Sequence, residues 1–237
     1  MRTVSMFLTA GLLLFVLGAP AEGATTSNSY ATATSSSAVD PTVRTNVSRA
    51  TFGSTCSSVL VGKDKMPIAI CTGSLSRNST IYLFDTTGRK VLASYAIAKA
   101  SSNGALPAYL DNRGWLVVVN GDRVLWRVMH SVQPGGKWAL RIAQVAVLTD
   151  VLKTDDAMAG LQPDSAGHVW FATKAGVVGT ADTNLNTVRA IRVKSGEQIL
   201  QDLAAASTQI VATTSKAVYK LSASAAGVPK IASRTAK

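Results

Sequence analysis

Residues 160–176 read GLQPDSAGHVWFATKAG. A short entry segment, Gly160 to Pro163, runs into a polar turn, Asp164-Ser-Ala-Gly167, and then into the β-branched and aromatic run Val169-Trp-Phe-Ala-Thr173. That order predicts two short strands joined by a tight turn. It recurs in SSVLVGKDKMPIAICTG from Ser57, PAYLDNRGWLVVVNG from Pro107 and QDLAAASTQIVATTSKA from Gln201. Aligning Met66, Gly114, Gly167 and Ser207 as turn ends gives steps of 48, 53 and 40 residues.

Each unit continues into a second hairpin. Ile81–Asp85 leads to Val91–Tyr95, and Val177-Val178 leads through Asp182–Thr187 to Val188–Val193. Val218–Leu221 leads through Ser222–Gly227 to Val228, and in all three the turn opener and the next valine are six apart. Four short strands recurring at 40 to 53 residues are the signature of β-propeller blades. The expected fold is all-β, a propeller of about four recognisable four-stranded blades, at approximately 55–98, 104–148, 155–194 and 197–237 within a domain of 49–237. Helix is nearly absent; only Gln198 to Ala206 has weak helical propensity, and the repeat assigns it to an inner strand.

The Asp111-Asn-Arg-Gly114-Trp and Asp164-Ser-Ala-Gly167-His-Val-Trp segments resemble the D-x-x-G-x-[hydrophobic]-W pattern of senescence-marker/gluconolactonase-type propellers. The runs GVVGTAD (Gly176–Asp182) and IRVKSGEQI (Ile191–Ile199) are similar to a group of uncharacterised exported bacterial propellers. The likeness covers roughly residues 50–237 and implies architecture more than activity. The last blade departs from it, with Ala204-Ala-Ala-Ser-Thr in place of the Asp and Gly turn. Four units also fall short of the six or seven usual there. The chain then reads as part of a propeller, as a small divergent one, or as half of a homodimer that closes the ring.

Residues 1–23 read as a secretory signal peptide: Arg2, an apolar stretch from Met6 to Leu17, then Ala19-Pro20-Ala21 or Ala21-Glu22-Gly23 as cleavage site. No later segment is long and apolar enough to span a bilayer. The expected destination is secreted or extracellular, and periplasmic or cell-surface in a bacterium. Residues 24–48, rich in Ser, Thr and Ala, read as a disordered leader. Export predicts a structural disulfide between Cys56 and Cys71, 15 apart; closing that loop is worth ~3 kcal/mol in the chain-entropy model. Asn46-Val-Ser48 and Asn78-Ser-Thr80 match the N-glycosylation sequon, which counts only in a eukaryotic secretory route.

In a propeller the first strand of each blade lines the channel, and function concentrates on the loops entering it. Those loops carry Asn103, Asp155, Asp156, Glu197 and Gln198. Asp156 and Glu197 precede their turn ends by 11 and 10 residues. Carboxylates converging on one mouth would hold a divalent cation, Ca²⁺ or Zn²⁺. The gluconolactonase resemblance implies such a mouth, with the metal polarising a lactone carbonyl and activating water. Against that stands the lack of any glutamate between Glu22 and Glu197, because the resemblance calls for a ligating Glu in the opening blade. The leading expectation is therefore a binding or scaffold module, with the metal-dependent lactonase-like hydrolase as its rival.

His130 and His168 fall at blade positions, and Trp115, Trp126, Trp138 and Trp170 at strand positions suited to packing. G-x-S-x-G, H-E-x-x-H, P-loop and dinucleotide fingerprints are missing, which removes the commonest hydrolase and nucleotide signatures. The formal charge is +11, from 24 Lys and Arg against 13 Asp and Glu, and only Glu22 and Glu197 are glutamates. The excess comes from scarce acids, with bases scattered rather than run together, so no specific nucleic-acid function is expected. Attraction to an anionic surface, polysaccharide or lipid headgroup, fits the same charge. The particular ligand or protein partner is not written in these residues.

Overall fold

The computed structural model describes residues 39–51, 55–72, 78–97, 106–111, 113–119, 123–152, 156–200, 203–206 and 209–237. The signal segment 1–23 and residues 24–38 of the leader lie outside the described residues.

Among the described residues sixteen strands form four antiparallel four-stranded sheets, each a meander in chain order. The first sheet holds β1 (Thr55–Val61), β2 (Pro67–Thr72), β3 (Ser79–Phe84) and β4 (Val91–Ile97). The second holds β5 (Ala108–Leu110), β6 (Leu116–Val119), β7 (Val124–Val132) and β8 (Trp138–Val147). The third holds β9 (Met158–Pro163), β10 (Val169–Thr173), β11 (Val177–Ala181) and β12 (Val188–Arg192). The fourth holds β13 (Ala204–Ala206), β14 (Gln209–Thr213), β15 (Ala217–Ala223) and β16 (Pro229–Ala236). The all-β, four-bladed reading of the repeat is what the chain adopts. The segment with weak helical propensity supplies β13, because pairing with β14 overrides local preference.

The first strands β1, β5, β9 and β13 pack on one another in succession, which makes them the innermost. The middle strands are apolar on both faces, as in β6 (LVVV) and β10 (VWFAT), where every residue is buried. Alternate residues therefore serve two cores. Leu116 and Val118 join Ile68, Ile81 and Leu83 of the first sheet, whereas Val117 and Val119 join Leu161 and Phe171 of the third. Trp170, Ala172 and Val178 face Ile210, Tyr219 and Leu221 of the fourth. Gly179 is required where it stands: it pairs with Phe171, and a Cβ there would lie 2.1 Å from Phe171 Cζ and 2.6 Å from the Arg189 carbonyl oxygen.

The leader reading fails over 41–48. These residues form helix α1 (Pro41–Ala50), with Asp40 as N-cap accepting the Thr42 N–H at 2.7 Å and proline in the first turn. The helix owes its order to burial that leader composition conceals. Val47 is fully buried with Val39, Val59, Ala69 and Phe84 on the face of the first sheet turned away from the second. Cys56 and Cys71, directly opposed on β1 and β2, are disulfide-bonded in this same layer. The second hairpin of the last unit is also tighter than the six-residue spacing implies. Its turn opens at Ser224, whose N–H donates to the Val228 carbonyl, because β15 runs on through Ser222 to Ala223.

Candidate functional site

In a meander the turns from first to second strand and from third to fourth strand fall at one end of the sheet, here named the turn end. Aspartate builds most of them. Asp111 Oδ1 accepts the N–H groups of Arg113 and Trp115, and Asp164 Oδ1 those of Ala166 and His168, at 2.9–3.0 Å. Asp164 Oδ2 accepts in addition from Trp170 Nε1 at 2.9 Å and contacts His168 Nδ1 at 2.8 Å. Asp85 and Asp182 take the same role in third-to-fourth turns, Asp182 accepting from the N–H groups of Asn184, Asn186 and Thr187. Burial would raise the pKa of Asp85, but donors from Lys90, Thr87 and Arg89 outweigh it and hold the carboxyl below its usual range. The D-x-x-G motif is thus spent on making turns.

One polar link crosses each junction at this end. Asn46 Nδ2 on α1 donates to the Thr87 carbonyl at 2.9 Å, in the β3–β4 turn. Asp64 Oδ2, in the β1–β2 turn, lies 2.8 Å from His130 Nε2 on β7 of the next blade. Arg127 of the second blade, its Nε 3.3 Å from Asp111, donates through Nη1 to the Thr183 carbonyl of the third. Thr180 Oγ1 of the third donates to the Gly227 carbonyl of the fourth. Of the two sequons, Asn46 therefore has its amide nitrogen engaged on a helix, while Asn78 is exposed.

Of the expected metal-binding carboxylates, Asp156 before β9 and Glu197 before β13 lie toward the opposite end. Asn103 and Asp155 lie outside the described residues. Asp156 is buried and Gln198 is exposed. Glu197 is 3% exposed and fully engaged. Its Oε2 accepts from Thr214 Oγ1 at 2.7 Å and Tyr219 OH at 3.1 Å, and its Oε1 from Arg234 Nη2 at 2.7 Å. Burial would raise its pKa; the hydrogen bonds from Thr214, Arg234 and Tyr219 and the Arg234 charge outweigh that and lower it. Tyr219 and Arg234 sit on β15 and β16, the outer strands, and Thr214 in the turn between β14 and β15, so Glu197 is tied to the rim rather than set at a channel mouth. The reason lies in the connector: Glu197 stands seven residues before β13, still close to β12, whereas Asp156 stands two before β9. The two are therefore not equivalent in space. Among the described residues no group of three or more His, Cys, Asp or Glu side chains is placed to hold a metal ion.

No protein-family model and no curated protein sequence matches the chain. Among solved structures it is similar to the β-propeller domain of Cps50 (Swd1) from Myceliophteria thermophila, at 14% identity and TM-score 0.52. That match covers 76% of this chain and 54% of the other, so the chain spans about half the length of the propeller domain it superposes on. Kluyveromyces lactis Hsv2 also matches, at 9% identity and TM-score 0.47, over 75% of this chain and 70% of that one. The chain has a β-propeller fold.

Proposed function

We propose that the chain is an exported β-propeller binding or scaffold module whose working surface is the turn end. The observation that supports this reading is the series of polar links across successive junctions, Asn46–Thr87, Asp64–His130, Arg127–Thr183 and Thr180–Gly227. They hold the turns of neighbouring blades in fixed relation while the turn tips stay in solvent, and a rigid frame with exposed loops is what recognition needs. Export rests on the signal-peptide reading of residues 1–23. The likeness to gluconolactonase-type propellers rests on turns in which Asp111 and Asp164 are occupied by backbone donors, so it supports the architecture and not a lactonase site.

Two measurements test this reading. Protein recovered from the culture medium of an expressing host should begin at Glu22 or Ala24; retention inside the cell with Met1 in place would refute export. The mature chain, assayed on a lactone with and without Ca²⁺ or Zn²⁺, should show no turnover and no metal-dependent rise in melting temperature. Metal-dependent hydrolysis that is lost in Asp156→Ala would establish the rival enzyme instead.

A further inference from the structure

Charge is unevenly shared along the chain. Residues 39–147, covering α1 and the first two sheets, hold thirteen Lys and Arg against five Asp and Glu, whereas residues 148–237 hold ten against seven. Topology then sorts the basic half. The β1–β2, β3–β4, β5–β6 and β7–β8 turns share the turn end, and they carry Lys63, Lys65, Arg89, Lys90, Arg113 and Lys137, every one exposed. None of the six is in an ion pair among the described residues.

The acids of these turns are differently placed. Asp64 is held by the Met66 N–H and His130, Asp85 by Thr87 and the N–H groups of Arg89 and Lys90, and Asp111 by the N–H groups of Arg113 and Trp115 beside Arg127. Asp111 is buried, Asp85 half-buried and Asp64 exposed, so the acids stay charged but committed to partners, and the six cations outnumber them two to one on this surface. The two blades form one surface: a Cβ on Gly114 would lie 3.8 Å from His130 Cε1 and 4.0 Å from Asp64 Oδ2. Two half-buried indoles stand on it. Trp115 has the Arg113 guanidinium 5.0 Å from its ring centroid, and Trp138, which opens β8, lies 6.0 Å from the His130 ring.

We infer that the turn end of the first two blades binds an anionic polysaccharide, a chain of sugar rings bearing sulfate or carboxylate groups; this deepens, and rests on, the binding-module reading. The cations are spread over four turns rather than converging in a cavity, which suits a polymer of repeated charge and not a single small anion. The solvent-facing parts of the indoles suit sugar rings, and the turn cations, Arg113 over the Trp115 ring among them, suit the acid groups. A lipid surface fits less well. The described residues at the tips of these turns include no exposed Leu, Ile, Phe or Trp to enter a headgroup layer.

The test uses the mature chain with heparin and polygalacturonate as sulfated and carboxylated probes, dextran as neutral control, and phosphatidylserine vesicles. The variant K63Q/K65Q/R113Q/K137Q should bind either polyanion about tenfold more weakly or less. Its slope of log affinity against log salt should fall by about three. The matched set K174Q/K194Q/K216Q/K220Q, in the last two units, should bind as the parent does. W115A should weaken binding several-fold without moving the salt slope, and circular dichroism melts identify any variant that is merely unfolded. Equal losses in both charge sets would reduce the effect to bulk charge and overturn the site. Binding to vesicles but to neither polysaccharide would overturn the ligand class, as would binding to nothing at low ionic strength. Those failures leave the module reading standing, because that reading is decided by the separate secretion and lactone assays.

Discussion

Glu197 is where a single side chain carries the most. It joins the β12–β13 connector to the β14–β15 turn, β15 and β16 through three donors, two of them neutral hydroxyls and one the Arg234 guanidinium. Glu197→Gln keeps the shape but gives up the charge that Arg234 and both hydroxyls are arranged to meet. It is expected to lower the melting temperature at pH 7 by several degrees. The sign with pH follows from the lowered pKa. A carboxylate depressed on folding stabilises fully above its unfolded pKa, about 4.3 for Glu, and that contribution is lost as pH falls through the folded value. The gap between parent and Glu197→Gln should therefore hold from pH 7 to about 5 and close below about pH 4. A gap that is constant with pH would show that the charge is not what matters. The importance of Glu197 was legible in the sequence through the scarcity of glutamate, but its role was not. Counting back from turn ends pairs it with Asp156, and nothing local reveals that the connector stays on the rim until Thr214, Tyr219 and Arg234, 17 to 37 residues later, fold onto it.

At the scale of elements, the hairpins could be read because their signals are local. Asp and Gly are chosen by the turn itself: Gly114 and Gly167 stand at φ +78° and +86°, where a side chain is disfavoured. The flanking strands show β-branched runs on either side. Helix α1 was missed because its order comes from outside it. Asp40-Pro41 is a capping signal, but a Ser/Thr/Ala-rich stretch gives no sign that one valine will find a waiting sheet face. That face is the one a preceding blade would cover in a longer propeller, and α1 covers it here, with the Cys56–Cys71 disulfide beneath. Val47→Ala should cost about 2 kcal/mol by removing fully buried methyls, and Asn46→Ala about 1 kcal/mol by removing the link to Thr87. Urea unfolding of the oxidised protein measures both. Losses below a few tenths would mean that α1 does not hold this face.

Among the described residues each core cluster is shared by neighbours in sequence and none joins the fourth sheet to the first, so the described sheets stack in chain order. Such a stack is stable only if its two end faces tolerate solvent. The first end has α1. The other is the side of the fourth sheet away from the third, where the alternation sets Val211 and Thr213, both buried, Val218 and Ser222, both half-buried, and exposed Lys220, none of them part of a core cluster among the described residues. Closing a ring through a second copy in two-fold symmetry would need either this face to meet itself or α1 to move aside. The first would bury Lys220, and none of the other residues named on this face is an acid that could pair with it. The second exposes Val47 and its layer. The outer edge is defended as well, because β16 is a long free strand that carries Lys230 and Arg234, the kind of charge that discourages strand-to-strand pairing. Light scattering on the mature chain is therefore expected to give the mass of one copy, unchanged with dilution and with salt. A discrete doubled mass that persists in Lys220→Glu would show that the ring closes by another face, whereas a doubled mass abolished by that substitution would place the partner on the fourth sheet.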